Sequence, residues 1–244
     1  MEIPEKYNVY IDMIKKYYKD RDMSHDYAHV EQVCKNALYI YHSSMVQSET
    51  DELIIVISAL GHDIWDHKYA TPDMVDDLKY EFSKDIISIL NGITWFRDPF
   101  RWLLKDVNGL SDFDILDNSI EIIDNISLSN EYAIRQSGKT LMLNPDIVFL
   151  RNIVSDADKL ESLGIVCLKR MVSYAKHTNT TSGIFRHIKD HCQDKLYKLL
   201  DDNYIITQVA RNLALPRMQQ LREIVDDDKA LRKFISLELL SVEF

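Results

Sequence analysis

Apolar residues recur along this chain at three- and four-residue intervals, and no stretch sustains the alternation of a half-buried strand. From about Tyr27 to Tyr41, Val30, Val33, Ala37, Leu38 and Tyr41 share one helical face, with Ser24 ahead of them as a start signal. The run Ile54-Ile55-Val56-Ile57-Ser58-Ala59-Leu60-Gly61 is apolar nearly all round, the mark of a buried helix, and Asp51 is placed to cap it. Thr71-Pro72-Asp73 pairs a cap with proline at the first helical position and opens a helix that reaches about Leu90. Asp98-Pro99 repeats that grammar up to Asn108-Gly109. Asn144-Pro145-Asp146 repeats it again, leading through Ile147, Val148, Leu150 and Ile153 toward Asp158. Long amphipathic runs follow, from about Ile184 to Leu200 and from Pro216 to Leu240. The stretch Lys105 to Lys139, rich in Asp, Asn and Ser, reads equally as a substrate-covering insertion or a surface connection.

Composition sharpens this into an all-α chain. Only 6 Gly and 5 Pro punctuate 244 residues that are 46% hydrophobic, too few turns for many short strands. No repeat, low-complexity segment or polar linker divides the chain, so residues 1–244 are taken as a single domain. Met1 to Asp20 mixes charges with apolar residues and resembles neither a signal peptide nor a membrane span, so the expected location is the cytoplasm. Cys34, Cys167 and Cys192 are widely separated and odd in number, and read as reduced thiols. With 39 acids against 29 bases the net charge is −10, and no long basic stripe appears. That argues against a nucleic-acid polymer as partner, while one local cation cluster or a metal still allows a small anionic substrate.

The chemistry concentrates at four positions. His62 and Asp63 end the buried apolar run, where two polar groups cost desolvation unless they find partners. A shared cation accepts a neutral imidazole and a carboxylate together. His29 falls on the inward face with Val33 and Ala37, and Asp158 lies in Ser155-Asp156-Ala157-Asp158-Lys159-Leu160 at another predicted helix end.

In this order the residues resemble the HD superfamily of metal-dependent phosphohydrolases, in its small stand-alone bacterial and fungal branch. Ser24-His25-Asp26-Tyr27-Ala28-His29-Val30 is similar to the branch's opening segment, and Gly61-His62-Asp63-Ile64-Trp65-Asp66-His67-Lys68-Tyr69 to its HD helix and loop. Asp156 to Gly164 is similar to its third signature, and His191 to Leu196 and Ala214 to Arg217 to its last helices. The likeness covers residues 22 to 221, leaving 222 to 244 as a C-terminal helical extension.

The resemblance implies an all-α HD bundle with His29, His62, Asp63 and Asp158 as ligands of one divalent ion (Mn, Mg, Fe or Co). Of the two aspartates in Asp156-Ala157-Asp158 the second aligns with the branch's ligand, with Asp156 as the alternative; in the first case Asp156 lies beside the ligands or contacts substrate. Only His67 stands between Asp63 and Asp158, whereas di-iron members of the superfamily add two histidines there, so one ion is expected. An acid at the place of Asp66 orients or deprotonates the attacking water in related hydrolases, and a base at the place of Lys159 contacts substrate phosphate. Lys68 is a second phosphate candidate. Glu131 is a further substrate-binding candidate, in a stretch that resembles an S-x-S-K-E segment of the branch with Asn130 in place of the lysine. His25 and Asp26, one turn ahead of His29, are placed to orient it. His191 and Arg217 read as helix packing, His42, His177 and His187 as surface or interface residues, and Trp65, Trp95 and Trp102 as core filling able to stack on a base. The implied function is hydrolysis of a small phosphorylated substrate, foremost a nucleotide, by pyrophosphohydrolase or nucleotidase chemistry. The competing reading is a catalytically silent nucleotide- or metal-sensing module. Amphipathic C-terminal helices are suited to a homodimer.

Overall fold

The computed structural model describes residues 1–19, 21, 25–44, 48–97 and 111–241, with the backbone alone for 93–97. Among the described residues there is no strand. Helix α1 (Asn8–Ile14) buries Tyr10, Ile11 and Ile14 between two 3₁₀ turns. Helix α2 (Tyr27–His42) is capped by Asp26, whose carboxylate accepts the backbone N–H of His29 at 3.0 Å; Ser24 lies outside the described residues.

Helix α3 (Glu49–Gly61) starts earlier than predicted. Ser48, in extended conformation, caps it by accepting the N–H of Asp51 at 3.2 Å. Asp51 therefore sits inside the first turn with Glu49 and Glu52, where negative charge meets the positive end of the helix dipole. Helix α4 (Pro72–Arg97) runs a turn or two beyond Leu90. The helix expected from Asp98-Pro99 to Asn108-Gly109 lies outside the described residues, as does Trp102, and so does the side chain of Trp95.

From residue 111 onward the polar stretch is helical. Helix α5 (Asp112–Asp124) opens on a capping box between Ser111 and Asp114 and buries Ile115, Leu116, Ile122 and Ile123. Its contact with α3 makes it part of the core. Helix α6 (Leu128–Gln136) is capped by Ser127. Helix α7 (Val148–Glu161) follows a 3₁₀ turn at Pro145–Ile147, and helix α8 (Gly164–His177) comes next.

Both long C-terminal runs are broken. Helix α9 (Ile184–His191) passes into a π turn over Cys192–Leu196, closed by Tyr197 N–H to Cys192 O at 2.9 Å, before the short α10 (Lys198–Asp201). Helix α11 (Gln208–Val225) is capped by Thr207 and carries Pro216 in its interior, and Asp227 starts the separate α12 (Asp228–Leu240).

At the centre α2 packs on α3 and α7, α3 on α5 and α7, and α8 on α11 and α12. Ile55, Val56, Ile57 and Leu60 of α3 are fully buried, each such aliphatic burial contributing about 1.5–3 kcal/mol. Gly61 allows the end of α3 to meet its neighbours. A Cβ there would come within 2.9 Å of the Phe82 ring and 3.0 Å of Ile123. The dyad next to it is thereby delivered into the helical core.

Candidate metal centre

Three helices converge on the predicted ligands. His29 comes from the first turn of α2, His62 and Asp63 from the end of α3, and Asp158 from the last turn of α7. One ligand atom each of His29, His62 and Asp158 falls within 4.8 Å of the other two. Asp63 borders the same point: His29 Nε2 is 3.7 Å from Asp63 Oδ2 and 3.4 Å from Asp158 Oδ1. His62 Nε2 is 3.6 Å from Asp63 Oδ1 and 3.7 Å from Asp158 Oδ1.

The donor set fits a divalent cation. His62 Nδ1 lies 2.8 Å from the Ala59 carbonyl, which fixes the tautomer that leaves Nε2 bare. That Nε2 is buried without a hydrogen-bond partner, as are Asp63 Oδ2 and His29 Nδ1. Such orphans are costly in a protein interior, and two of the three face the point where the ligands meet. Burial disfavours the Asp158 carboxylate, yet the His29 and His62 imidazoles outweigh it and hold the group well below the usual carboxylate range. Two imidazoles and two carboxylates leave positions open on an octahedral ion and resemble no closed structural zinc site.

Geometry chooses between the two aspartates of the Asp156-Ala157-Asp158 pair. Asp156 is fully buried and accepts the backbone N–H groups of Ile206 (2.9 Å) and Thr207 (2.6 Å), which anchors the entrance of α11 to α7. It is not part of the His29, His62 and Asp158 cluster. Lys159 and Glu131 also depart from expectation. Lys159, 1% exposed, donates to Glu131 Oε2 at 2.7 Å and to the Tyr204 carbonyl at 2.8 Å. Glu131 is shared with Arg151 at 3.2 Å and Arg135 at 2.7 Å. The pair is a buried ionic tie between α6, α7 and the segment before α11, and neither residue lines the clefts described below. On a helix adjacent side chains diverge by about 100°, so a lysine next to a ligand points elsewhere.

Asp66 lies on a succession of turns, not on a continued helix, and its Oδ1 accepts the Lys68 N–H at 2.9 Å. Lys68 Nζ is 2.9 Å from His25 Nε2, and the Tyr69 hydroxyl is 3.2 Å from His25 Nδ1. The His25 ring stands 6.2 Å from that of His29. Burial pushes His25 down to about 4, with Lys68 and Arg170 acting the same way against the opposing pull of Asp63. Trp65 is core filling as expected: it packs edge-on to Phe82 and donates to Asp124 at 3.0 Å.

Two clefts flank the centre. One, of about 580 Å³, is bordered by His25, Lys68, Arg170, Tyr174, His187 and His191. The other, also about 580 Å³, is bordered by Asp26, His29, Ile165, Val166, Arg170 and Arg217. Arg170 belongs to both, and its charge is felt at His25, His62 and Asp158.

Three features escaped sequence reasoning. Arg170 was readable, because Cys167, Arg170, Met171 and Tyr174 form one stripe of α8 at helical spacing. His187 and His191 stand one turn apart on α9 and line the first cleft; His187 is exposed as expected, and it is its place in the cleft that was not foreseen. Arg21 donates to the carbonyls of Asp63 (2.6 Å) and Ile64 (2.7 Å) and stacks on Tyr18 and Tyr69, pinning the dyad; no local pattern announces it.

The all-helical fold is shared with solved structures, one of them an HD-superfamily hydrolase. The chain aligns with a protein of Lactobacillus plantarum at TM-score 0.62 and 19% identity, over 96% of this chain and 99% of the other. Bacillus subtilis YpgQ, crystallised in complex with ADP, gives 0.59 and 21% over 91% and 96%. An HD-superfamily hydrolase of Bacillus thuringiensis gives 0.53 and 18% over 97% and 98%. No protein-family model and no curated protein matches the chain. No described helix is long and apolar enough to cross a membrane.

Proposed function

We propose that the protein is a metal-dependent phosphohydrolase acting on a small phosphorylated substrate, foremost a nucleotide. The observation that carries this reading is the cluster of buried His29 and His62 with Asp158, beside the orphaned polar atoms of His29, His62 and Asp63. His29, His62, Asp63 and Asp158 hold one divalent ion, of the Mn, Mg, Fe or Co type. When bound, such an ion supplies Lewis acidity toward water and toward a phosphoryl oxygen.

The chain supplies the rest. Asp66, three residues beyond Asp63 and held by the Lys68 N–H, is the carboxylate that orients the attacking water and takes its proton. Lys68 and Arg170 bring positive charge to the phosphate, against the chain's overall −10. Asp26 and His25 position His29, the first through the α2 cap and the second through the ring contact. A nucleotide is favoured because the first cleft joins these cations to an apolar wall of Met171, Tyr174 and Ile184. YpgQ, which shares the fold, was crystallised with ADP.

Phosphate and pyrophosphate release from a panel of ribo- and deoxyribonucleotides, with Mn²⁺, Mg²⁺, Co²⁺ or EDTA, tests the proposal. Metal-dependent release that vanishes in His62→Ala/Asp63→Ala is expected and identifies the bond cut. No release from folded, metal-loaded protein with any substrate overturns it in favour of a catalytically silent sensing module.

A further inference from the structure

Helices α2 and α7 each bring one ligand to the centre, and His29 Nε2 and Asp158 Oδ1 stand 3.4 Å apart. The same two helices meet at a second polar point. Asn36 lies two turns beyond His29 on α2, and Glu161 one turn beyond Asp158 on α7. Asn36 Nδ2 donates to Glu161 Oε1 at 2.8 Å, and both residues are buried. A carboxylate only accepts, so the Asn36 amide is held in one orientation, and its Oδ1 accepts from Gln32 Nε2 at 3.1 Å. From α11, Arg217 donates to Glu161 Oε1 at 2.9 Å and to the Leu160 carbonyl at 2.8 Å. No step of the proposed hydrolysis uses Asn36 or Glu161.

Apolar packing alone does not account for this pair. Around it α2 packs on α7, with Val33, Ala37, Val154 and Ala157 fully buried. Such contacts are non-directional and tolerate a small slide or rotation of one helix on the other. A hydrogen bond weakens steeply as its angle and length depart from the ideal, so it selects one arrangement. A buried polar pair adds little net stability over apolar residues of the same shape, which leaves geometry as its contribution. Geometry is what the ligands need. Neighbouring ligands on an octahedral ion stand roughly 3 Å apart, so the gap between His29 and Asp158 has little slack.

We infer that Asn36 and Glu161, braced by Arg217, are positioning residues that set the separation of His29 and Asp158 for the cation. The inference rests on the metal-dependent reading of the centre and adds residues that act through its ligands.

The test titrates Mn²⁺ alone, by calorimetry, into the metal-free full-length chain and three variants. Asn36→Leu removes the donor at nearly constant volume. Arg217→Met keeps the side chain long but removes the brace, at a half-buried position. It also deletes a cation from the cleft that His29 borders, which by charge alone would tighten the hold on Mn²⁺. The positioning role requires the opposite. Tyr7→Phe is the control, because it breaks a buried hydrogen bond of similar length, to Glu52 at 2.7 Å, at the other end of α3 from His62. The expected result is Mn²⁺ affinity weakened about tenfold in Asn36→Leu and in Arg217→Met, and unchanged in Tyr7→Phe. The paramagnetic resonance spectrum of the ion bound at saturating Mn²⁺ changes in the first two as well, a shift that lowered stability alone does not produce. If Asn36→Leu does not fold, Arg217→Met decides. Wild-type affinity in either folded variant, or an equal loss in Tyr7→Phe, overturns the positioning role and leaves the metal centre standing. A wild-type chain that binds no Mn²⁺ overturns the metal reading and the inference with it.

Discussion

Replacing Glu131 by Gln separates an ionic tie from a substrate contact. Glu131 faces Lys159 at 2.7 Å, Arg151 at 3.2 Å and Arg135 at 2.7 Å, and Lys159 and Arg151 are 1% and 2% exposed. The amide keeps the shape and one acceptor but leaves two buried cations without a counter-charge. Breaking such a pair costs about 3–5 kcal/mol, and the conserved shape argues for about 3. At about 2–4 °C per kcal/mol for a chain of this length, Tm should fall by about 6–12 °C. The loss should also depend on pH. Burial opposes ionisation of Glu131, but the three cations outweigh it and hold its carboxyl below the usual range. A depressed carboxylate stabilises the fold fully above its unfolded value of about 4.3, and less as pH falls through the folded value. The gap between wild type and variant should therefore narrow in acid. Thermal unfolding at neutral pH and near pH 4, beside kcat and KM per folded molecule, makes the measurement. An unchanged Tm with a raised KM would refute the reasoning and return Glu131 to the substrate.

Other outcomes follow from the same geometry. Saturating Mn²⁺ at about a hundred times its Kd should stabilise the wild type by about 2.7 kcal/mol in thermal unfolding, and EDTA should reverse the gain; His62→Ala/Asp63→Ala should show neither effect. Arg21→Ala frees the carbonyls of Asp63 and Ile64 and should weaken metal binding about 10- to 100-fold in a metal titration, whereas unaltered affinity would deny Arg21 its positioning role. Asp156→Ala orphans the Ile206 and Thr207 N–H groups and should cost about 1–3 kcal/mol in denaturant unfolding without changing metal stoichiometry. Gly61→Ala drives a methyl group to within 2.9 Å of Phe82 and should cost about 1–3 kcal/mol, seen as a lowered denaturant midpoint.

Most of the described helices, and the meeting of His29, His62 and Asp158, were legible because periodicity and residue chemistry announce both. His62-Asp63 at the end of an all-apolar run has no bland explanation, and α3 delivers the pair where the pattern put it. Caps were less legible. Ser48 and Asp51 are both competent, and which one caps depends on where the chain turns extended. The roles of Asp156, Lys159 and Glu131 were beyond local reading. A motif fixes spacing along the chain, whereas these side chains take their partners from α6, Tyr204 and the Ile206–Thr207 backbone, remote in sequence. The π turn after His191 hid in the same way. An apolar pattern from Ile184 to Leu200 does not show that the helix widens into a π turn over Cys192–Leu196, nor that His187 and His191 line the same cleft as Lys68.

The central claim is that His29, His62, Asp63 and Asp158 together hold one divalent cation. Titration of the metal-free chain with Mn²⁺, followed by electron paramagnetic resonance of the free ion, tests it most directly. The account predicts one tightly bound ion per chain, lost in Asp158→Asn and in His62→Ala/Asp63→Ala while the fold persists. A folded wild-type chain that binds no Mn²⁺, Co²⁺ or Fe²⁺, or variants that bind as well as the wild type, would contradict it.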